Sequence, residues 1–176
     1  MATLYTIGHS TRSSEEFIAV LRAHGIRTLV DIRAFPVSRR LPHFNQEALE
    51  VSLKTSGIRY VWMKELGGYR KKIRTESPHV ALRNESFRNY ADYTLTQEFR
   101  EAIDRLLSLA REGHTACMCA ERLFFQCHRM IVSDYLAAQG HEVQHIEDEG
   151  PVKVHRLTSD ARVINGELIY RGDRLL

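Results

Sequence analysis

The sequence predicts an α/β fold: a mostly parallel sheet with helices on both faces, plus a small C-terminal β-hairpin. Three observations carry that reading. Strand-like and helix-like segments alternate along most of the chain, which calls for right-handed crossover helices over parallel strands. The segment "RTLVDIR" is apolar and β-branched without polar alternation, as strands buried on both faces are. The tail "ARVINGELIYRG" sets Asn165-Gly166 between two alternating runs, a strong short-range hairpin signal.

Each element has a local reason. "TLYTI" reads as the first strand, and Ser13 with Glu16 forms a capping box ahead of a helix whose face holds Phe17, Val20, Leu21 and His24. Gly25 ends that helix, and "RTLVDIR" follows as the second strand. A second helix starts at Asn45 and stops at Gly57, before "IRYVWM" as the third strand. Residues 64–85 show no periodicity, and a connection of that length is usually functional or partly mobile. Two helices come next: "SFRNYADYTL", capped by Ser86, and a longer one from Thr96 to Gly113 with Phe99, Ile103, Leu106, Leu107 and Ala110 on one face. "TACMCA" is the fourth strand, "HRMIVSDYLAAQG" the helix after it, and "EVQHI" the fifth strand. No repeat or linker divides the chain, so one domain is expected over residues 1–176.

Composition bounds the function. At 176 residues, 43% hydrophobic and 27% charged, the chain is long enough to bury a core without disulfide or metal staples. No run of about 18 apolar residues is available to cross a bilayer, and "MATLYTIGHS" lacks the basic start and apolar stretch of a secretion signal. A cytoplasmic protein is expected, with its three cysteines as free thiols. A net charge of +3 is too mild to identify a nucleic-acid partner by itself.

Open α/β sheets bind ligands outside the carboxyl ends of their strands. The residues expected there are polar: Gly8, His9 and Ser10 after the first strand; Asp31 and Arg33, then Ser38, Arg39 and Arg40, after the second; Lys64, Glu65, Gly67 and Gly68 after the third. The fourth delivers Cys119 and Glu121, with Cys127, His128 and Arg129 opening its helix, and His145 closes the fifth. Cys117, inside the fourth strand, reads as inert core. His24, His79, His114, His141 and His155 are scattered and read as surface or capping residues.

"CMCAERLFFQCHR" gathers all three thiols, a glutamate, a histidine and two arginines into thirteen positions. Cys127 stands at a helix N-terminus beside His128 and Arg129, where dipole and charge favour thiolate. Several explanations remain open. A nucleophile reading gives Cys127 the attack, His9 or His128 proton transfer, Glu121 orientation or acid-base work, and the arginines charge neutralisation. A metal reading, with zinc or iron at Cys119, Cys127 and a histidine, matches no standard ligand spacing, so no metal is expected. A reversible Cys119–Cys127 disulfide requires "AERLFFQ" to fold back and bring the two together. In a purely structural reading both thiols pack, and His128 and Arg129 cap or pair. Familiar phosphate loops are missing, so anion binding would come from Arg33, Arg39 and Arg40, from Arg70, Lys71, Lys72 and Arg74, and from Arg129.

"TIGHS", "LVDIR" with "P-x-S-R", "GIRYVWMKELGG", "F-x-x-YADY", and above all "MCAE" followed by "CHRMI" and "HI" resemble the family catalogued as domain of unknown function 488, over about Thr6 to Ile146. The resemblance implies one α/β domain with a C-terminal extension over 147–176, in which His9, Asp31, Arg33, Cys119, Glu121, Cys127, His128 and Arg129 hold the signature positions. It brings no established reaction. The apolar "LFF" between the cysteine motifs departs from the family's often polar insert and hints that Phe124 and Phe125 pack on a substrate or partner.

The function expected is a thiol-containing enzyme, a cysteine-dependent hydrolase or transferase, acting on a phosphate-bearing substrate such as a nucleotide or nucleic acid. Its catalytic candidates are Cys127, His128, Cys119, Glu121, His9 and Asp31, and its substrate-binding candidates are Ser10, Arg33, Ser38, Arg39, Gly67, Gly68 and Arg129. The alternative is a nucleotide or nucleic-acid binding module without turnover. No membrane partner is expected.

Overall fold

The computed structural model describes residues 1–172, so the last four positions of the expected 1–176 domain lie outside the described residues. The chain runs β1 (Thr3–Gly8), α1 (Ser14–Ala23), β2 (Thr28–Asp31), α2 (Gln46–Thr55), β3 (Arg59–Trp62), α3 (Glu85–Tyr93), α4 (Gln97–Glu112), β4 (Thr115–Cys119), α5 (Arg129–Ala138) and β5 (Glu142–Ile146). It closes with β6 (Lys153–Val154), β7 (Ala161–Ile164) and β8 (Glu167–Tyr170). Short 3-10 turns occur at Pro42–Phe44, Lys64–Leu66 and Phe124–Gln126.

The sheet order is β3-β2-β4-β1-β5-β6, parallel except for β6, which pairs antiparallel with β5. β7 and β8 form the separate hairpin, with Asn165 at φ 52° and Gly166 at φ 78° in its turn, the left-handed pair that a tight hairpin requires. β1 connects through α1 past β4 to β2, whereas β4 connects through α5 past β1 to β5. Those opposite excursions leave a crevice where the ends of β1 and β4 lie side by side, the topological switch point of the sheet.

Strand periodicity divides the core into two layers. Leu4, Val30, Ile32, Cys117 and Val143 pack with the buried faces of α3, α4 and α5, and Ile7, Leu29, Ala116, Met118 and Ile146 pack with those of α1 and α2. Each fully buried Leu, Ile or Phe contributes roughly 1.5–3 kcal/mol. Ser13 and Glu16 form the expected capping box, at 3.1 and 3.2 Å. The cap of α3 is Asn84, whose side chain accepts from Phe87 N, in place of the expected Ser86. Asn84 wins because its oxygen reaches the third helical N–H, whereas Ser86 already lies inside the first turn.

Candidate functional site

Cys119 has the same strand parity as Cys117, so its side chain belongs to the face covered by α5. Thr6 shares that face, in register with Cys117 on one side and His145 on the other. α5 enters directly beneath. Its first residue, Arg129, is only 1% exposed, and its Nε donates to both sulfurs, at 3.0 Å from Cys119 Sγ and 3.2 Å from Cys127 Sγ. Nη1 reaches Thr6 Oγ1 at 3.4 Å, and Nη2 donates to the carbonyls of Arg122, at 3.2 Å, and of Glu121.

No carboxylate among the described residues pairs with this guanidinium. A buried cation needs a counter-charge, and sulfur is the acceptor here that can carry one. The two sulfurs are 2.7 Å apart, and either can donate to the other. Burial pushes the Cys127 thiol up, but the hydrogen bond from Cys119, the neighbouring His128 and the Arg129 charge outweigh it and bring it to about 4. Cys119 moves the other way, raised by burial and by its bond to Cys127. Arg129 Nε is slightly nearer Cys119, but Cys127 also accepts from the Arg129 backbone N–H, at 3.4 Å, in the first turn of α5, a position that favours negative charge there. Cys117, fully buried, is pushed up to about 12 by burial and stays core.

The sulfurs open onto a cleft of about 320 Å³ lined by His9, Arg33, Ala34, Phe35, Val37, Ser38, Gly68, Tyr69, Cys119, Ala120, Glu121, Cys127 and His128. Two of these keep a ring or guanidinium nitrogen without a partner: His9 Nε2 and Arg33 Nη1. His9 Nδ1 lies 2.8 Å from the Ser10 carbonyl, so Nδ1 donates and Nε2 presents a bare lone pair. Burial lowers His9 to about 4 and keeps it neutral, and its ring stacks on Phe44 at 4.2 Å. Both nitrogens are buried, on residues that line the cleft with the paired sulfurs. Phe35 and Tyr69, 72% and 67% exposed, stand at its mouth with ring centroids 6.3 Å apart.

Two glycines make the close approaches. A Cβ on Gly8 would lie 1.7 Å from the Glu121 carbonyl oxygen, and one on Gly68 would lie 2.5 Å from His128 Nδ1. His128 Nε2 donates to the Ile32 carbonyl at 2.8 Å, which ties the start of α5 to the end of β2.

The other expected site residues fall outside the cleft lining. Asp31 is fully buried and holds Arg33 through both carboxylate oxygens, at 2.9 and 2.7 Å, while accepting from Tyr60 OH at 2.6 Å. It orients Arg33 and does not face the sulfurs. Ser10 takes a left-handed φ of 53° after β1, Gly67 packs against Ala34, and Arg39 is exposed. Arg70 is not a free anion ligand: it stacks 3.8 Å over Tyr93 and donates to the Gly67 and Lys64 carbonyls. A separate cleft of about 360 Å³ near Lys72, Arg74 and Arg88 holds no cysteine. Among the described residues no group of His, Cys, Asp or Glu is arranged to hold a metal ion.

Two histidines read from sequence as surface or capping residues are buried. His79 is 0% exposed, with Nδ1 accepting from Tyr170 N at 3.2 Å. His155 belongs to a buried chain that sequence reasoning missed. Asp134 accepts from Thr158 N at 2.9 Å, Tyr170 OH at 2.7 Å and His155 Nε2 at 2.8 Å. The His155 Nδ1 lone pair then accepts from His145 Nε2 at 2.9 Å, and His145 Nδ1 from the Thr6 hydroxyl at 2.6 Å. Thr6 Oγ1 finally accepts from Arg129. Burial and the nearby His155 lower His145 to about 3. Because a guanidinium only donates, this chain positions Arg129 and does not carry protons from the sulfurs. Phe124, expected to meet a substrate or partner, stacks instead on His145 at 3.7 Å, and Phe125 is exposed. The legible signal was Asp134, a charge three positions after Ile131 on the buried face of α5.

Among the described residues no helix is long and apolar enough to cross a membrane. No curated protein and no solved structure matches the chain. One family model does, over residues 13–136, a span that includes Asp31, Arg33 and the whole Cys119–Arg129 segment but stops short of His9 and His145. The match covers well over half of the chain, and this protein belongs to the family described as "Domain of unknown function DUF488".

Proposed function

We propose that this protein is a thiol-dependent hydrolase or transferase whose nucleophile is Cys127 and whose substrate is a phosphate-bearing molecule of the nucleotide class. The observation that carries the reading is Arg129, a buried guanidinium with two sulfurs in reach and, among the described residues, no carboxylate paired with it. Such a cation holds a thiolate ready at neutral pH, and a thiolate lining a cleft is a nucleophile. Attack forms a bond from Sγ to the electrophilic atom of the substrate, and the leaving group departs with its electron pair and takes up a proton. Water or a second acceptor then displaces the sulfur.

The substrate class follows from what the cleft leaves unused. Arg33 Nη1 supplies a donor for an anionic oxygen, its orientation fixed by Asp31. His9 Nε2 supplies an acceptor for a hydroxyl or for the attacking water. Phe35 and Tyr69 offer flat apolar faces at the mouth for a planar ring, a contact that nucleobases use without sequence preference. A nucleotide combines an anion, a hydroxyl and a planar ring.

The test is a panel of nucleotides and short oligonucleotides, scored for turnover and for protection of Cys127 from alkylation. The wild type is expected to be protected by a member of the panel and to convert it. Cys127→Ser is expected to bind without turnover, and Arg33→Ala to lose binding. Turnover that survives in Cys127→Ser overturns the nucleophile, and binding without turnover in the wild type favours a binding module.

A further inference from the structure

We propose that Cys119 and Cys127 are also a two-electron redox pair: Cys127 reduces a hydroperoxide, Cys119 resolves the product as a disulfide, and a small-molecule thiol restores the dithiol. This rests on the reading of Cys127 as the thiolate of the site. The geometry that carries it is the sulfur contact of 2.7 Å, from which a disulfide bond needs a closure of about 0.7 Å. Cys127 lies outside the sheet, between the Phe124–Gln126 turn and the start of α5, whereas Cys119 ends a central strand hydrogen-bonded on both sides.

The chemistry balances in two steps. The Cys127 thiolate attacks the terminal oxygen of ROOH; the S–O bond forms, the O–O bond breaks, and RO⁻ leaves and takes a proton from solvent to give ROH and a sulfenic acid. The Cys119 sulfur then attacks Cys127 Sγ; the S–S bond forms, the S–O bond breaks, and hydroxide leaves with the Cys119 proton as water. Two electrons pass from the sulfur pair to the peroxide. Two equivalents of a small thiol return the pair to the dithiol by exchange and leave as their own disulfide.

Arg129 sets the direction in which this pair is poised. In the dithiol state the guanidinium faces a thiolate, and in the disulfide state it faces neutral sulfur, buried and, among the described residues, without a paired carboxylate. The reduced form is therefore the stabilised one, which makes the disulfide an easily reduced oxidant. The single-residue consequence is specific. Arg129→Met should shift the equilibrium with glutathione toward the disulfide by at least tenfold, about 30 mV for a two-electron couple, and Arg129→Lys, which keeps the charge, by less.

The deciding experiment treats the protein with stoichiometric hydrogen peroxide, quenches it with an alkylating agent in denaturant, and reads intact and peptide mass. The pH dependence of Cys127 alkylation is measured on the same preparation. The wild type is expected to lose two alkylatable thiols and the mass of two hydrogens, with Cys117 still free. Cys119→Ser is expected to stop at a sulfenic acid trapped by a 1,3-dione, and Cys127→Ser not to react. A low Cys127 pKa with three free thiols after peroxide overturns the redox pair alone. An ordinary Cys127 pKa overturns the thiolate nucleophile, and the redox pair with it.

Discussion

Two arginines are buried a few residues from the same cleft, and they are neutralised in different ways. Arg33 is met by both oxygens of the Asp31 carboxylate and by the Phe44 carbonyl at 2.8 Å. Arg129 is met by carbonyls, a hydroxyl and two sulfurs. The first arrangement is closed, and it leaves a single buried nitrogen, Nη1, without a partner. The second is neutralised only if a thiol gives up its proton, which is what the proposed function requires of Cys127. The difference lies in the partner: Asp31 holds Arg33 in place, whereas on the proposed function Arg129 makes Cys127 reactive.

The largest break in this comparison is expected at Asp31. Asp31→Ala strands the Arg33 charge, because a guanidinium cannot shed its proton, and should lower stability by about 3–5 kcal/mol in urea unfolding. The pH profile of Cys127 alkylation should change little. Arg129→Met is expected to do less to stability, since an abandoned thiolate can protonate and become neutral. It should slow Cys127 alkylation at pH 6 by more than tenfold, which corresponds to about 1.4 kcal/mol or more of lost thiolate stabilisation. A stability loss at Arg129 equal to that at Asp31, with alkylation unchanged, would show the two arginines to be the same kind of structural ion.

A smaller effect appears in the pH dependence of stability. Cys127 is depressed to about 4 in the folded state, so the unfolded chain binds more protons between that value and the ordinary thiol range of about 8.5. Its contribution to stability is complete above the unfolded value and is lost as pH falls through the folded one. His9 and His145, lowered to about 4 and about 3, act in the same direction below their ordinary value. Stability measured between pH 5 and 8 should therefore rise with pH, and Cys127→Ser should flatten the slope. The smallest expected change is at the mouth of the cleft. Tyr69→Ala should weaken nucleotide binding by about 1 kcal/mol, at the low end for aromatic stacking on a base, and leave the Cys127 profile unmoved.

What the sequence shows directly is whatever depends on local pattern. The alternation of strands and helices, the Ser13 capping box and the Asn165-Gly166 turn follow from neighbours within a few positions. Cys127 at a helix start could be read in the same way. The parity of Cys117 and Cys119 was also present in the sequence, but its meaning depends on which helix covers that face, and only the sheet order decides this. The ends of β1 and β4 meet because two crossovers run in opposite directions, and no local signal records that. The long-range polar pairs were hidden for the same reason: His155 finds Asp134 through a loop after β6, and Arg70 finds Tyr93 across the connection ahead of α3. Asp31 was legible as a strand-end carboxylate two residues from Arg33, whereas its bond to Tyr60 required the register of β2 against β3.

The central claim is that the guanidinium of Arg129 keeps Cys127 ionised, and the most direct measurement of it is the rate of alkylation of Cys127 as a function of pH, followed by peptide mass in the wild type and in Arg129→Met. The account predicts a wild-type rate that is already at its plateau at pH 6 and a variant whose rate climbs toward the ordinary thiol range. A wild-type profile that rises only above pH 8, and coincides with that of the variant, would contradict it.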